Sequence, residues 1–462
     1  MDLKQVHRVY FIGIGGIGMS ALARWFKVNG YEVAGYDKTI TPLTKELSSE
    51  GMAIHYEDNS NNIPDAFRDK NTTLVVYTPA IPENHEELQY FRKEGYIVKK
   101  RSEVLGMITK DAFTIAISGT HGKTTTSSMV AHVLTYAGID CTAFLGGITL
   151  NYKSNLLLNK NKDKKEVVVV EADEYDRSFL TLHPDIAVIT TVDADHLDIY
   201  NNTDAFRSTF VQFVGQIKEG GIVYVRDIVD LDFPASVQKQ TFGTEKGEIT
   251  TRDLRIENSR FTFDVTGGGM DIKGVVLQVP GYHNVENALA AISVANKMGI
   301  DGEVIKAALA EFRGVKRRFE YIYKGDSVVY IDDYAHHPTE LEAFFKGVKA
   351  LYADKKFTVI FQPHLYSRTR DFMKEFGKSL SLADEVILLD IYPARELPIP
   401  GVTSSELLKE ITHDNKRLVA KNELLDVVQK LKTDVLATVG AGDIDQFVIP
   451  IKELLEKKYE KV

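Results

Sequence analysis

Short apolar runs alternate with amphipathic stretches in the first hundred residues of the chain. Three of the apolar runs, at 9–14, 31–37 and 72–82, predict buried β-strands. The segment 19–30 has apolar residues at helical spacing and ends at a glycine, so we predict a helix between the first two strands. Strands that alternate with helices are typical of βαβ units, and they predict a mostly parallel sheet.

The same alternation restarts twice further along the chain. A second block begins near residue 113 with a strand, a glycine loop and a helix, and a third begins near residue 328. The stretch 222–280 is richer in Thr, Val and Gly and contains period-two segments, which predict an antiparallel patch in the second block. The fold class that follows is α/β with three domains, of which the first and last are Rossmann-like, at 1–108, 109–316 and 317–462.

Composition narrows the classes of protein that fit this pattern. Of the 462 residues, 44% are hydrophobic and 26% are charged, which are globular values, and the net charge is −9. The acidic balance argues against a nucleic-acid partner, whose binding surface is usually basic. No run approaches the ~18 apolar residues of a membrane span, and no basic leader precedes the first strand, so we expect a cytoplasmic protein without a membrane partner.

A glycine-rich loop follows the first predicted strand. Gly13, Gly15 and Gly18 form a G-x-G-x-x-G pattern, and Asp37 ends the next strand 19 residues after Gly18. Gly15 and Gly16 would let the backbone approach a diphosphate, and the Asp37 carboxylate would bind a ribose hydroxyl. Taken alone, the loop fits an NAD-type oxidoreductase as well as any other diphosphate binder, and a tight turn without a ligand is a further interpretation.

A second glycine loop opens the next block, after an apolar strand and before a helix. It consists of Gly119, Thr120, His121, Gly122, Lys123, Thr124 and Thr125. The usual phosphate-loop template has a glycine where Ile117 stands, so this is a shortened form of it. Backbone N–H groups would still cradle phosphates, Lys123 would neutralise β/γ charge, and the Thr124 hydroxyl would bind Mg²⁺. We therefore predict a P-loop-type ATPase domain at 109–316.

Acidic residues end a predicted strand of the same block. Glu171 closes the run VVVVE, and His196 follows the next strand along the chain. Because parallel strands end at one edge of a sheet, Glu171 and His196 would join Thr124 in a Mg²⁺ site. Magnesium prefers oxygen ligands, so the histidine is atypical, and a solvated acidic turn at 171–176 is the alternative.

Two asparagines and an arginine mark the end of the second block. Asn284 and Asn287 open a helical segment, where they either cap the helix or recognise adenine. Arg318 lies near the predicted junction at residue 316, where it either reaches a phosphate when domains close or remains a surface residue.

Polar residues also end two predicted strands of the third block. Tyr334 and His336 follow one strand, and Arg368 lies beyond another. Such strand ends form the usual ligand edge of an α/β domain. The single cysteine, Cys141, excludes a disulfide framework and a Cys-based zinc site, and no motif indicates a covalent nucleophile.

Taken in order, these motifs resemble those of the Mur ligases of peptidoglycan synthesis. The matching segments are GIGGIGMS, GTHGKTTT, EADEYDRSFL, DADHLD, PGYHNVENA, RRFE, DDYAHHPTE, FQPHLYSRTRD and GAGD. The resemblance implies that the first domain holds a UDP-sugar, the central domain binds ATP, and the last domain brings an amino acid and closes over the nucleotide. It implies an ATP-dependent ligase that uses Mg²⁺ and acts on UDP-N-acetylmuramate, and we expect a monomer or weak homodimer.

The resemblance also implies roles for individual residues. The residues implied for the ATP phosphates run from Gly119 to Thr125, with Arg318 as a further phosphate contact; Thr124, Glu171 and His196 are implied for Mg²⁺, Asn284 and Asn287 for adenine, and Tyr334, His336 and Arg368 for the sugar-lactyl end and the amino acid. For catalysis, Lys123 and Arg368 would supply positive charge. His196 and His336 are the alternatives for the group that takes the proton of the amine.

Within the family the motifs are most similar to those of the members that add L-alanine. The loop GIGGIGMS favours this type, and Phe210 stands where later-acting members have a carbamylated lysine. Two positions depart from the family pattern, since Leu365 replaces an arginine and Thr191 an asparagine. The lost arginine leaves open glycine or serine as the amino acid, and the same ligase chemistry with a peptide is a further alternative. An NAD(P)-dependent oxidoreductase and a non-catalytic nucleotide-binding module are the alternatives of other classes.

Overall fold

The computed structural model of the chain describes residues 5–160, 165–193, 203–258, 260–394 and 396–459. Its strands form three sheets of five, ten and six strands. Contacts within the chain define two compact units. The first unit holds most residues up to 252 with 264–273 and 287–309, and the second holds 253–263, 274–286 and the chain from 310 onward.

The first sheet has the strand order β3-β2-β1-β4-β5, and all its strands are parallel. Its strands and helices are β1 Arg8–Ile12, α1 Ile17–Val28, β2 Glu32–Tyr36, α2 Pro42–Ser49, β3 Ala53–His55, β4 Thr73–Tyr77, α3 Glu86–Lys93, β5 Ile97–Lys100 and α4 Arg101–Thr109. Val9 and Phe11 pack into one apolar cluster and Tyr10 and Ile12 into another, so β1 is covered on both faces, as parallel strands usually are. The chain reverses its direction of strand addition between β1 and β4, which places the first glycine loop at the switch point of the sheet.

The second sheet has the order β15-β14-β13-β12-β11-β10-β6-β9-β7-β8. Its elements are β6 Phe113–Ser118, α5 Lys123–Tyr136, β7 Cys141–Thr149, β8 Ser154–Leu157, β9 Val167–Glu171, β10 Ile186–Ile189, α6 Thr203–Gly215, β11 Ile222–Arg226, β12 Gln238–Gly243, β13 Ile249–Glu257, β14 Arg260–Gly267, β15 Met270–Leu277, α7 Tyr282–Lys297 and α8 Gly302–Glu311. β6 lies between β9 and β10 and is parallel to both.

The antiparallel part of this sheet covers fewer residues than the stretch 222–280 that was predicted to be antiparallel. β11 pairs in parallel with both β10 and β12. β14 and β15 are neighbours joined by Gly268 and Gly269, whose φ values of +57° and +80° are those of a tight hairpin turn. A further antiparallel pair, β7 with β8, lies outside the predicted stretch.

The third sheet has the order β16-β17-β21-β18-β19-β20, with β16 antiparallel to β17 and the other pairs parallel. Its elements are β16 Glu320–Lys324, β17 Val329–Asp333, α9 Pro338–Leu351, β18 Phe357–Phe361, α10 Tyr366–Asp371, α11 Met373–Leu380, β19 Glu385–Leu388, α12 Ser404–Glu410, β20 Lys416–Leu418, α13 Leu424–Lys430, β21 Val435–Val439 and α14 Val448–Tyr459. The α/β class and its parallel-dominated sheets are thus confirmed. Among the helices of the described residues, none is long and apolar enough to cross a bilayer.

Candidate active site

The first glycine loop connects β1 to α1 and is tied to the end of β2. Gly13 has a φ of +87°, and Gly16 caps α1 without a side-chain hydrogen bond. The Gly15 N–H donates to Asp37 Oδ2 over 2.7 Å, and the Thr39 N–H donates to Asp37 Oδ1 over 3.0 Å. In this structure Asp37 therefore orders the loop through both carboxylate oxygens, and its expected contact with a ribose hydroxyl stays a prediction.

An arginine outside the sequence motifs lies beside this loop. Arg101 begins α4, and a Cβ atom at Gly18 would lie 3.0 Å from its Nη1 atom. Its Nη2 atom is 3.8 Å from Asp173 Oδ2, in the acidic segment after β9. Arg101 follows the end of a parallel strand, and this position is the signal by which it could have been found.

The second glycine loop has a backbone that only glycine adopts easily. Gly119 has a φ of +130° and Gly122 a φ of +83°. A Cβ at Gly119 would lie 2.1 Å from Thr190 Oγ1, and one at Gly122 would lie 2.5 Å from Asn287 Oδ1. Helix α5 starts directly after Gly122 without a side-chain cap, so the N–H groups of its first turn and its positive dipole end suit a phosphate.

The segment after β10 holds this loop in place. The Thr120 N–H donates to the Thr191 carbonyl over 3.0 Å, and the His121 N–H donates to Thr191 Oγ1 over 2.9 Å. The Asp193 N–H in turn donates to Thr120 Oγ1 over 2.9 Å, and Asp193 Oδ2 lies 3.5 Å from His121 Nε2. Thr191, one of the two departures from the family pattern, is thus a structural support of the loop.

Lys123 is partly buried and points back over its own loop. Its Nζ donates to the Gly119 carbonyl over 2.6 Å and to Glu174 Oε1 over 3.0 Å. Burial alone lowers the pKa of Lys123, but the charge of Glu174, followed by those of Asp173 and Glu171, outweighs burial and raises that pKa above its ordinary value. The lysine is therefore positively charged, as phosphate binding requires. Glu174 lies in the predicted acidic segment, but the sequence alone did not identify it as the partner of Lys123.

The described residues include Thr124 and Glu171, two of the three predicted metal ligands. Thr124 is the second residue of α5. Glu171 ends β9, and its Oε2 accepts the Gly146 N–H over 3.0 Å. His196 lies outside the described residues. Within the described residues, no group of three or more His, Cys, Asp or Glu side chains is arranged to hold a metal ion. A hydroxyl and a carboxylate are nevertheless the oxygen donors that Mg²⁺ takes, so the chemistry of Thr124 and Glu171 fits that ion.

The two predicted adenine contacts lie on α7, and each makes a hydrogen bond within the protein. Asn287 Oδ1 accepts from Thr126 Oγ1 over 3.1 Å, which places Asn287 against the first turn of α5. Asn284 Nδ2 donates to the Pro280 carbonyl over 2.7 Å and stabilises the turn before the helix. Asn287 is therefore next to the phosphate loop, whereas an adenine contact of either residue stays a prediction.

Adjacent arginines at the start of the third sheet have different environments. Arg317 donates through Nε to Asp332 Oδ2 over 3.1 Å and through Nη2 to the Gly440 carbonyl over 2.6 Å. The guanidinium carbon of Arg318, the residue predicted to contact phosphate, lies 5.2 Å from the centre of the Tyr334 ring, and so does that of Arg317. Arg317 therefore joins the turn to β17 and β21, and the guanidinium of Arg318 stays beside the predicted substrate residue Tyr334.

His336 lies within a cluster of predicted substrate residues. Its Nδ1 is 3.0 Å from the Tyr334 carbonyl, and its ring centre is 6.1 Å from that of His364. Burial lowers the pKa of His336 to about 4; Glu340 opposes this shift, and the charge of Arg368 adds to it. His336 is thus neutral at neutral pH and has a nitrogen that can accept a proton.

Arg368 lies in the short helix α10, whose N-cap is Leu365, the other residue that departs from the family pattern. Arg368 Nη1 is 3.5 Å from His364 Nδ1. Leu365 caps the helix with a φ of +71°, a region that a side chain with a Cβ rarely adopts. The structure thus brings Tyr334, His336 and Arg368 together next to a strained turn. Strained backbone of this kind is common at functional sites.

Three family models match the chain: the Mur ligase family catalytic domain at residues 8–112, the Mur ligase middle domain at 117–295, and the Mur ligase glutamate ligase domain at 317–444. UDP-N-acetylmuramate–L-alanine ligase of Cytophaga hutchinsonii is 53% identical over 100% of this chain and 99% of that protein. The ligase of the same name from Flavobacterium psychrophilum is 50% identical over 99% of this chain and 100% of that protein.

A solved structure supports the same relationship. The crystal structure of a UDP-N-acetylmuramate–alanine ligase from Thermotoga maritima matches with a TM-score of 0.84 at 31% identity, over 97% of this chain and 99% of that chain. The similarity extends over all three sheets rather than one motif. The chain therefore belongs to the Mur ligase family, as its motifs predicted.

Proposed function

We propose that this chain joins L-alanine to the lactyl carboxylate of UDP-N-acetylmuramate, with ATP converted to ADP and phosphate, in the synthesis of peptidoglycan precursors. The full-length identity to ligases of that name supports the reaction. The observation that carries the ATP step is the second glycine loop, where Gly122 opens an uncapped helix and the charged, partly buried Lys123 lies beside it. An NAD(P)-dependent oxidoreductase would leave this loop without a role.

The chemistry explains why the reaction needs ATP and no protein nucleophile. A carboxylate is a poor acyl donor, and transfer of the γ-phosphoryl group gives an acyl phosphate with a good leaving group. The amine of L-alanine then attacks the acyl carbon and phosphate departs. The chain contributes position and positive charge rather than covalent chemistry.

The phosphate-binding roles follow the second glycine loop. The loop from Gly119 to Thr125 would bind the ATP phosphates with its N–H groups, apart from those of Thr120 and His121, which donate to Thr191. Lys123 would exchange Glu174 for a phosphate oxygen. Arg318 would contact phosphate, and Asn284 and Asn287 would contact adenine. Thr124, Glu171 and His196 would hold Mg²⁺, which when bound neutralises charge on the phosphates.

The remaining roles belong to the two other sheets. Gly15, Gly16 and Asp37 would hold the UDP-sugar at the switch point of the first sheet. Tyr334 and Arg368 would face the lactyl group and the carboxylate of the amino acid. His336, neutral at neutral pH, would accept a proton from the amine. The blocks 1–108, 109–316 and 317–462 would divide these three tasks in a cytoplasmic monomer or weak homodimer.

The test is phosphate release by the purified chain with Mg²⁺-ATP, UDP-N-acetylmuramate and L-alanine, glycine or L-serine, with one component omitted at a time. Release that needs all three substrates and is fastest with L-alanine is expected. Faster release with glycine or L-serine would keep the reaction class and overturn the choice of amino acid. ATP binding without release in any combination would indicate a nucleotide-binding module instead.

A further inference from the structure

Glu340 occupies the third position of α9 and connects several residues of the third-sheet cluster. Its Oε2 accepts the His336 N–H over 2.9 Å and the His337 N–H over 3.3 Å, which closes a capping box at the start of the helix. The same oxygen lies 3.2 Å from His336 Nδ1. Its other oxygen lies 3.8 Å from Arg318 Nη1. A helix cap alone requires the contact with the N–H of His337, the N-cap residue, and neither of the side-chain contacts.

The surroundings of His336 show what this carboxylate opposes. Arg318 and Arg368 approach from the turn before β16 and from α10, and both charges disfavour a protonated imidazole. The His364 ring adds a further polar group from the end of β18. On the anionic side, Glu340 faces the imidazole from α9. The neighbouring carboxylate of Asp333 accepts the Phe319 and Ala335 N–H groups.

The contacts of His336 also fix which nitrogen carries its proton. Nδ1 faces the Tyr334 carbonyl at 3.0 Å and the Glu340 carboxylate at 3.2 Å, and both of these oxygens accept hydrogen bonds only. Nδ1 is therefore the protonated nitrogen of the neutral ring, and Nε2 carries the lone pair. A carboxylate on the far side of a histidine both holds this tautomer and stabilises the imidazolium that forms when Nε2 takes a proton.

We propose that Glu340 is a positioning residue for the attack of the amino acid, acting through His336. The proposal rests on the function proposed above. In this step the ammonium group of L-alanine gives one proton to His336 Nε2, and the freed lone pair forms the C–N bond with the acyl carbon. The C–O bond to phosphate breaks, phosphate leaves with that electron pair, and the second amine proton goes to solvent. Glu340 stabilises the imidazolium between Arg318 and Arg368.

The test compares two nucleophiles in the variant Glu340→Gln. Glutamine retains an oxygen for the backbone N–H groups of the helix cap but removes the charge. L-Alanine has to lose an ammonium proton, whereas hydroxylamine is largely unprotonated at neutral pH and attacks the acyl phosphate without that step. A carboxylate this close favours the charged imidazole by ~1–3 pKa units, so kcat with L-alanine is expected to fall ~10- to 100-fold while hydroxamate formation falls less than ~2-fold.

Two further variants separate a structural effect from the proposed one. Glu342→Gln makes the same chemical change on the same helix, where Glu342 pairs with Lys346 at 2.7 Å, and it is expected to leave both rates and the unfolding temperature unchanged. His336→Asn should lower kcat with L-alanine more than it lowers hydroxamate formation. Adding Glu340→Gln to it should lower kcat no further, because the effects of residues that act through one another are not additive.

Each remaining outcome overturns one idea. An equal fall with both nucleophiles, or a further fall in the double variant, would show that Glu340 does not act through His336. Unchanged rates in Glu340→Gln would reduce Glu340 to a helix cap. Failure of the unaltered chain with both nucleophiles would contradict the proposed function itself, whatever the behaviour of the variants.

Discussion

At the scale of single residues, the buried carboxyl group of Glu87 shows how neighbours determine a protonation state. Its Oε2 is 2.8 Å from the Tyr10 hydroxyl, and its Oε1 is 3.2 Å from His55 Nε2, which is itself 2.7 Å from that hydroxyl. The other nitrogen of His55 faces the Glu57 carbonyl at 3.0 Å and must donate to it. The Tyr10 hydroxyl has one proton for two neighbours, Glu87 Oε2 and His55 Nε2, so the second of these contacts needs a proton on Glu87. Burial accordingly raises the pKa of Glu87 to about 8.

Glu87→Gln should therefore stabilise the chain at neutral and alkaline pH. The pKa of Glu87 rises from 4.5 to about 8 on folding, so its contribution to the free energy of unfolding is present below pH 4.5 and is lost as the pH rises to about 8. A glutamine can accept from Tyr10 and donate to His55 without this loss. At about 1.4 kcal/mol per pKa unit, the expected gain near pH 7 is about 1–3 kcal/mol. Urea unfolding between pH 5 and 8.5 measures it.

The adjacent exposed residue provides the control for this prediction. Glu86 accepts from the Ser60 N–H and hydroxyl at 2.8 Å, and Glu86→Gln should change stability little across the same pH range. If Glu87→Gln and the unaltered chain gave parallel curves from pH 5 to 8.5, Glu87 would titrate as an ordinary carboxylate.

Lys123→Ala should lower turnover at least ~10²-fold, by analogy with the removal of one donor that stabilises transition-state charge. The matched control is Lys218→Ala. Lys218 also forms an ion pair with a partly buried carboxylate, that of Asp185, at 2.8 Å in the same unit. Asp185 precedes β10, whereas the glycine loop follows the end of β6, so this pair lies at the opposite edge of the sheet. Phosphate release with all three substrates measures both variants, and near-normal activity of Lys123→Ala would contradict the role of the loop.

The residues of the site differ in how far the sequence could reveal them. Gly119, Gly122 and Lys123 were predictable because a phosphate-binding backbone demands those residue types at fixed spacing. Glu340 was not, because its importance depends on which side chains the fold brings together, and a single charged residue carries no spacing signal. Arg101 was marked by its position after a strand end, but its place beside the first glycine loop depends on the fold. Residues of this second kind are identified by tertiary contacts and not by a local sequence pattern.

At the scale of elements, helix α5 has a left-handed glycine beyond each end. Gly122 precedes it with a φ of +83°, and Gly138 follows it with a φ of +76°. A Cβ at Gly122 would lie 2.5 Å from Asn287 Oδ1, whereas one at Gly138 would have nothing within 4 Å. The two positions therefore share the same backbone demand and differ in their surroundings.

Gly122→Ala should weaken binding of a non-hydrolysable ATP analogue by ~10- to 100-fold, whereas Gly138→Ala should leave it unchanged. Both variants place alanine in the left-handed region, at a cost of about 1–2 kcal/mol in stability. Only Gly122→Ala forces Asn287 and the loop N–H groups to move, and one lost hydrogen bond to a charged phosphate is worth about 1.5–3 kcal/mol. Titration calorimetry measures the difference, and equal affinities in the two variants would argue against phosphate binding at this helix.

Strands and helices of the parallel sheets could be predicted well from the sequence. The runs at 9–14, 31–37 and 72–82 correspond to β1, β2 and β4, because strands buried on both faces are continuous apolar segments. The stretch 222–280 was less readable, since Thr- and Val-rich segments with period two suit either orientation of pairing. The parallel pairing of β11 with β12 depends on the path of the chain between them, which local pattern does not encode.

At the scale of the whole molecule, the two compact units have separate apolar cores. Phe26 is fully buried in the first unit, where its ring lies 6.1 Å from that of Phe11. Phe345 is fully buried in the second unit, where its ring lies 5.3 Å from that of Phe357. A chain with separate cores need not unfold in one step.

Scanning calorimetry should accordingly resolve two unfolding transitions. A cavity in one core should lower the midpoint temperature of only one of them. Phe345→Ala and Phe26→Ala each remove a buried ring, at a cost of about 3–5 kcal/mol, and are matched in chemistry and burial. An ATP analogue should raise the transition that Phe26→Ala lowers, because the phosphate loop belongs to the first unit and a ligand stabilises the unit that binds it. If both variants lowered a single common transition, the units would unfold as one, and nucleotide binding could not be assigned to either by its effect on stability.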